Sequence, residues 1–249
     1  MYRPRVIPCL LLRGNGLVKT RRFRDPVYVG DPVNAVRIFS EKEADEIVVL
    51  DIDASREGRE PNYELVAEIA GEAFMPLAYG GGVRTLEQIR RLIRSGVEKV
   101  VVNSAAVEST SVLSEAAAVF GSQAIVGAVD VKRTMLGGYR VVVKSGTVEA
   151  KVGLDEHLAR LVAAGAGEIF LNSVDRDGTM SGYDLALIRQ VATRVTVPVV
   201  ACGGAGKLEH LSEAIREGGA SAVAAGSLFV FHGKHRAVLI NYPKEAIGS

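Results

Sequence analysis

The chain reads as a single (β/α)8 barrel built from two tandem half-barrels, and three observations predict it. The first is an internal repeat. Pro76-Leu-Ala-Tyr-Gly-Gly-Gly82, followed by Leu86, Glu87 and Gly96, returns 122 residues later as Pro198-Val-Val-Ala-Cys-Gly-Gly204, followed by Leu208, Glu209 and Gly218. The same register relates Ala44-Asp-Glu-Ile47 to Ala166-Gly-Glu-Ile169, and within one or two residues of it Leu50-Asp51 with Tyr63-Glu-Leu65 return as Leu171-Asn172 with Tyr183-Asp-Leu185. The second is a set of eight short, near-continuous apolar runs separated by amphipathic stretches, the pattern of parallel strands buried on both faces. The third is length: 249 residues without a linker or composition break suit one barrel domain, residues 1–249, better than two ordinary domains.

In chain order the strands fall at residues 5–12, 46–51, 75–80, 99–103, 124–130, 168–172, 197–202 and 221–226. Helical periodicity fills the gaps, as in Thr85-Leu-Glu-Gln-Ile-Arg-Arg-Leu-Ile, where Thr85 suits an N-cap. Two connections exceed what a barrel needs. Residues 12–31 follow the first strand, and residues 132–153 follow the fifth; the latter hold Tyr139-Arg-Val-Val-Val143 and Thr147-Val-Glu-Ala150 around Ser145-Gly146, which reads as a hairpin. Chemistry in such barrels sits on the loops after the strands, so both are candidate lids.

With 48% apolar residues, 24% charged residues and a net charge of +1, the chain suits a globular core and offers no electrostatic reason for a nucleic-acid or membrane partner. An 18-residue apolar run and a signal-like start are both missing from the sequence, which predicts a cytoplasmic address. Cys9 and Cys202 lie on strands that flank the last one. Strand spacing puts them roughly 9 to 10 Å apart, beyond a disulfide's reach, so both read as buried free thiols. His157, His210, His232 and His235 have no metal-ligand spacing and read as surface or capping residues, and nothing calls for a cofactor.

Gly80-Gly-Gly82 and Gly203-Gly-Ala-Gly206 each follow a strand and precede a helix, where unhindered amides and the helix dipole can hold a phosphate. The strand after each ends in small polar residues, Asn103-Ser104 and Gly226-Ser227. A matched pair predicts two phosphate sites on opposite sides of one mouth. The alternative is that the glycines only make tight turns.

Together with Ile7-Pro-Cys-Leu10, Gly30-Asp-Pro32, Leu50-Asp51-Ile52, Asn103-Ser-Ala-Ala106, Asp130, Asp175-Arg-Asp-Gly-Thr179 and Gly182-Tyr-Asp184, these motifs resemble the cyclase subunit of imidazole glycerol phosphate synthase almost end to end. The resemblance implies a glutaminase docked on the barrel's bottom, ammonia passing through the barrel, and two aspartates at the top acting as acid and base. It implies substrate or phosphate contacts at Lys19, Asp51, Gly82, Asn103, Asp177, Gly178, Gly204 and Ser227. It also implies an ammonia gate made by Arg5, Glu46, Lys99 and Glu168, which stand at the starts of the first, second, fourth and sixth strands, and a docking carboxylate at Glu98. Charged residues also begin strands at exposed barrel ends for no functional reason.

One departure is decisive. The family's first catalytic aspartate corresponds here to Leu11, while its partner is Asp130. Since general acid–base catalysis contributes about 10² to 10⁴ in rate, losing one group should nearly abolish imidazole formation. Leu11-Leu12-Arg13, the basic run Lys19-Thr-Arg-Arg-Phe-Arg24, Asp51-Ile-Asp53-Ala-Ser-Arg56 and the tail at residues 231–243 are similar to a divergent branch in bacterial surface-polysaccharide synthesis. That branch works with a glutaminase and an ATP-using sugar amidotransferase to convert an N-acetyl group into an acetamidino group. The division of labour suits a chain without a Walker A motif, because an amide carbonyl needs activation before ammonia can displace its oxygen. Arg21, Arg22, Arg24, Arg56 and Arg59 could meet a diphosphate on a phosphorylated or nucleotide-sugar ligand, or form an ordinary solvated surface. Three readings follow: an ammonia-channelling subunit for acetamidino-sugar formation in lipopolysaccharide-type synthesis; an authentic histidine-pathway cyclase whose acid has moved, for instance to Asp51 or Asp177; and a non-catalytic scaffold that activates the glutaminase.

Overall fold

The computed structural model describes residues 3–233 and 237–243. His235 and the ends of the predicted domain lie outside the described residues. Eight parallel strands close into a barrel: β1 (Arg5–Arg13), β4 (Ile47–Asp51), β5 (Leu77–Gly80), β6 (Lys99–Val102), β7 (Ile125–Arg133), β10 (Glu168–Ser173), β11 (Val199–Cys202) and β12 (Ala222–Ala225), with β12 pairing back to β1. Closure removes the exposed sheet edges that an open sheet of this size would carry. The single (β/α)8 barrel predicted from the repeat is the observed fold.

Helices α1 (Pro32–Glu41), α3 (Tyr63–Gly71), α4 (Leu86–Arg94), α6 (Ser111–Phe120), α7 (Leu154–Ala163), α8 (Leu185–Ala192) and α9 (Leu208–Arg216) wrap the barrel, and the short α2 (Ala54–Glu57), α5 (Ser104–Glu108) and α10 (Ser227–Val230) sit on its mouth. Thr85 caps α4 in a full capping box with Gln88. Asn62 and Asp184, also 122 residues apart, cap α3 and α8 in the same way, accepting from Leu65 N and Leu187 N. The repeat therefore extends to the residues that start equivalent helices.

Alternation along the strands divides the core. Val6, Leu10 and Leu12 face the helices, whereas Ile7 and Cys9 face the interior with Val48, Ala78, Val101, Val126, Ala128, Phe170, Val200, Cys202, Ala222 and Ala224. The two long connections are mostly strand. β1 continues past the rim into antiparallel β2 (Gly16–Arg21) and β3 (Arg24–Gly30), and β7 continues into β8 (Tyr139–Val143) and β9 (Val148–Glu149). The hairpin expected around Ser145-Gly146 is present. Residues 12–31, expected as a loop, form the β2–β3 ribbon because β1 keeps pairing beyond the rim. A small ribbon of β13 (Phe231–His232) and β14 (Ala237–Val238) follows α10.

Candidate active site

The mouth holds two adjoining cavities, each lined by residues of both half-barrels. The larger, about 110 Å³, is lined by Asp51, Gly82, Asn103 and Asp130; the smaller, about 30 Å³, by Lys19, Asp177, Gly178, Gly204 and Ser227. All predicted ligand residues at the mouth therefore gather in one or the other. Leu11, Thr20 and Asn172 line both, so the position where a second acid was expected carries an apolar wall between them. β1 and β7 stand opposite in the barrel order, which sets Leu11 across the mouth from Asp130.

Asp130 is the most perturbed carboxyl at the mouth. Burial pushes its pKa up to about 7, partly offset by Asn103, whose Nδ2 donates to Asp130 Oδ2 at 2.7 Å. A carboxyl held there can give or take a proton near neutrality. Its hydrogen-bond partner thus comes from the neighbouring strand end rather than from its own loop. Asn103 Oδ1 and Asn172 Oδ1 are buried without a hydrogen-bond partner, leaving acceptors beside the carboxyl.

Asp51 and Asp177, the candidates for a relocated acid, are engaged otherwise. Asp51 Oδ1 accepts from Asp53 N (3.1 Å) and Ala54 N (3.0 Å) at the start of α2, and Oδ2 faces Arg59 Nη1 at 3.4 Å. Asp177 Oδ2 accepts from Thr20 Oγ1 at 2.7 Å and from Phe23 N at 3.2 Å, clamping the β2–β3 ribbon to the loop after β10. Burial raises the Asp177 pKa, while these donors pull it back. Lys19, only 5% exposed, sends Nζ to Cys9 O at 2.5 Å, and burial lowers its pKa. An anion in the small cavity would add an opposite charge beside this amine.

The glycine loops repeat in geometry as in sequence: Gly81 and Gly82 have φ of +120° and +73°, and Gly203 and Gly204 have +92° and +115°. A side chain at Gly82 would strike the Arg59 carbonyl, and one at Gly204 the Gly182 carbonyl, so close packing of the chain on itself already requires both glycines. Gly82 N donates to Ser55 Oγ at 3.2 Å. The turn-making alternative is therefore a real part of their role. Of the basic residues, Arg56 pairs with Asp53 at 2.7 Å and Arg59 with Glu57 and Asp51, while Arg21, Arg22 and Arg24 are exposed.

At the other end of the barrel Arg5, Glu46, Lys99 and Glu168 form a closed cycle. Arg5 bridges Glu46 and Glu168, and Lys99 Nζ lies 2.8 Å from Glu46 Oε2 and 3.1 Å from Glu168 Oε2. Glu46 and Glu168 are 3% and 7% exposed, so each carboxylate depends on both cations. A small cavity above the cycle is lined by Ile7, Val48, Ala78, Val126 and Val200; Val101 and Phe170 line both it and the large mouth cavity. Glu98 is exposed beside Lys99.

Two expectations need correction. Cys9 and Cys202 are free and buried as expected, but they are not isolated: both face the interior, where side chains converge, and the two thiols influence each other there. The Cys202 thiol, aided by the nearby Lys19 charge, lowers the Cys9 pKa, and Cys202 rises in turn. His157 is buried in α7 rather than on the surface; both ring nitrogens lack partners, and burial lowers its pKa to about 4. His210 does serve a helix start, accepting from Gly206 N at 3.2 Å. Sequence reasoning passed over Asn172, which occupies the slot of Leu50 in the repeat, and it passed over Phe23 and Ser145, which roof the large cavity.

Comparison with known proteins agrees over nearly the whole chain. Residues 5–236 match the family described as "Histidine biosynthesis protein". A Pseudomonas aeruginosa protein named provisionally as imidazole glycerol phosphate synthase subunit hisF2 is 56% identical over 243 residues, covering 98% of this chain and 97% of its own. A Leptospira borgpetersenii protein, also named provisionally as subunit HisF, is 51% identical over 99% of each chain. The imidazole glycerol phosphate synthase subunit HisF of Alkaliphilus metalliredigens is 44% identical over 93% of this chain and 92% of its own.

Proposed function

The chain belongs to the histidine biosynthesis protein family, and from that premise we propose that it is the barrel subunit of a glutamine-dependent amidotransferase complex. A glutaminase docks at the charged end beside Glu98, and ammonia passes the Arg5–Glu46–Lys99–Glu168 cycle and the apolar interior to the mouth. There it meets a phosphorylated or nucleotide-sugar ligand in acetamidino-sugar formation for surface polysaccharide, with an ATP-using sugar amidotransferase supplying the activated carbonyl. The single observation that carries this reading is a contrast. The ion-pair cycle is closed beneath an apolar interior, whereas the mouth has Leu11, not an acid, opposite Asp130.

The chemistry follows from the parts. Ammonia in water near neutrality is mostly ammonium and not a nucleophile. An apolar bore admits the neutral base and excludes water, which disfavours protonation on the way. At the exit, Asp130 with a pKa of about 7 can accept the proton released when nitrogen bonds to carbon. Lys19, the Gly204 loop and Ser227 would hold a phosphate in the small cavity, and Gly82 with Asn103 would do so in the large one. The authentic-cyclase reading draws on the names of the relatives, but it needs a second acid, and Asp51 and Asp177 are committed to α2 and the ribbon.

Affinity purification of the native complex tests the assignment. Recovery of a glutaminase together with an ATP-using sugar amidotransferase supports it. Recovery of a glutaminase alone, with turnover of the cyclase family's ribulosyl formimino substrate, moves the chain to histidine synthesis.

A further inference from the structure

The seam between β1 and β4 is open at its lower end, and a residue from the far end of the chain closes it. β4 joins β1 only where Cys9 meets Val48, so on that side Val6 has no strand partner. Side chains replace the missing ladder. Val6 N donates to Asp45 Oδ2 at 2.9 Å, and Val6 O accepts from the Tyr242 hydroxyl at 2.9 Å. The same hydroxyl oxygen accepts from Asp45 N at 3.2 Å and lies 3.1 Å from Asp45 Oδ2. Tyr242 is 4% exposed, its ring set edge-on to Phe39 and tilted against Phe229. The segment that carries it is tied to α10 and its end through Asn241 N to Phe229 O and Leu239 N to Val230 O, both 2.9 Å.

The location gives this bond its meaning. Val6 follows Arg5 and Asp45 precedes Glu46, and Arg5 and Glu46 bridge each other across this seam. One hydroxyl thus holds the backbone beside both residues. The family match ends at residue 236, so Tyr242 lies outside the matched segment.

We propose that Tyr242 is a positioning residue for the charge cycle: its hydroxyl keeps the β1–β4 seam closed at the level of Arg5 and Glu46, and with it the lower opening of the passage. The inference rests on the conduit reading of the barrel. A purely structural Tyr242 would serve through its ring, as an aromatic plug between Phe39 and Phe229. The hydroxyl and the ring are separable by mutation.

The experiment uses the reconstituted complex of the full chain and reads two quantities: the ratio of amidated product to glutamate released, and exchange of the Val6 amide by hydrogen–deuterium methods. Tyr242→Phe removes the hydroxyl and keeps the ring. Loss of one net hydrogen bond shifts a local opening equilibrium by about fivefold, so the Val6 amide exchanges about fivefold faster and the ratio falls. Phe39→Leu loosens the packing around the same ring without touching the hydroxyl, and it leaves the ratio at the wild-type value. A wild-type ratio in Tyr242→Phe overturns the proposal, and so does an equal fall in Phe39→Leu. Lys99→Ala separates the two possible failures: if it lowers the ratio while Tyr242→Phe does not, the conduit stands and the Tyr242 role is overturned; if neither lowers it, the conduit reading fails and takes the proposal with it.

Discussion

Replacing Leu11 with aspartate asks whether the mouth has lost one catalytic group or has been rebuilt for other chemistry. The wall at Leu11 faces Asp130 from the opposite strand, and Asp130 has its pKa pushed up to about 7 by burial. At neutral pH this carboxyl is about half protonated, so in any one molecule it serves as acid or as base but not as both. Ring closure of the cyclase type needs both. Each such group contributes about 10² to 10⁴ in rate, so Leu11→Asp should raise imidazole formation with ammonium from undetectable by about 10²-fold or more above background. The pH profile of the variant should be a bell, because the new carboxylate on the opposite wall titrates separately from Asp130. The assay follows imidazole product from the ribulosyl formimino substrate with ammonium as nitrogen source. Ordinary cyclase turnover by the unmodified chain would refute the reasoning at once. So would a Leu11→Asp protein that folds and binds substrate yet gains nothing.

Two further outcomes are expected. Lys19→Met should weaken pyrophosphate binding about 10- to 100-fold, the worth of a charge-assisted hydrogen bond; unchanged calorimetric affinity would remove Lys19 from the site. His157 carries a stability signature: the unfolded chain holds its proton below about 6.5 but the fold only below about 4, so stability is full above the unfolded value and is lost as pH falls, by about 2 kcal/mol at pH 5 and about 3 kcal/mol by pH 4. Urea denaturation at pH 7.5 and pH 5 should show this loss in the wild type and not in His157→Leu; equal losses in both would mean that the buried ring is not the cause.

Much of this architecture was legible because its signals are local or repeated. Apolar runs mark the strands whatever they later contact, and the 122-residue repeat carries the glycine loops into matching positive-φ turns. The charge cycle was legible too, since inward-facing residues that begin the first, second, fourth and sixth strands meet at one barrel end. The remainder depended on three-dimensional convergence. Linear strand spacing cannot reveal that the Cys9 and Cys202 side chains meet, because a closed barrel aims its inner side chains at one axis. Nor can composition tell that Asp51 caps α2, that a side chain at Gly82 would strike the Arg59 carbonyl, or that Tyr242 returns to Val6 across most of the chain length. His157 sits among polar neighbours in sequence, and only the packing of α7 against the barrel buries it.

If ammonia travels through this barrel, the ratio of amidated product to glutamate released depends on the passage being open. Lys99→Ala removes one cation from the cycle and leaves Glu46 and Glu168 with Arg5 alone, a change that costs about 3 to 5 kcal/mol where a buried pair is broken. Ala222, fully buried in the bore, offers a plug as Ala222→Trp, with the fold verified by circular dichroism and complex formation. The account predicts that both variants lower the ratio and that added ammonium, which reaches the mouth from solution, restores product. A wild-type ratio in both variants would contradict it, because no nitrogen would then be passing through the barrel, and the scaffold reading would take its place.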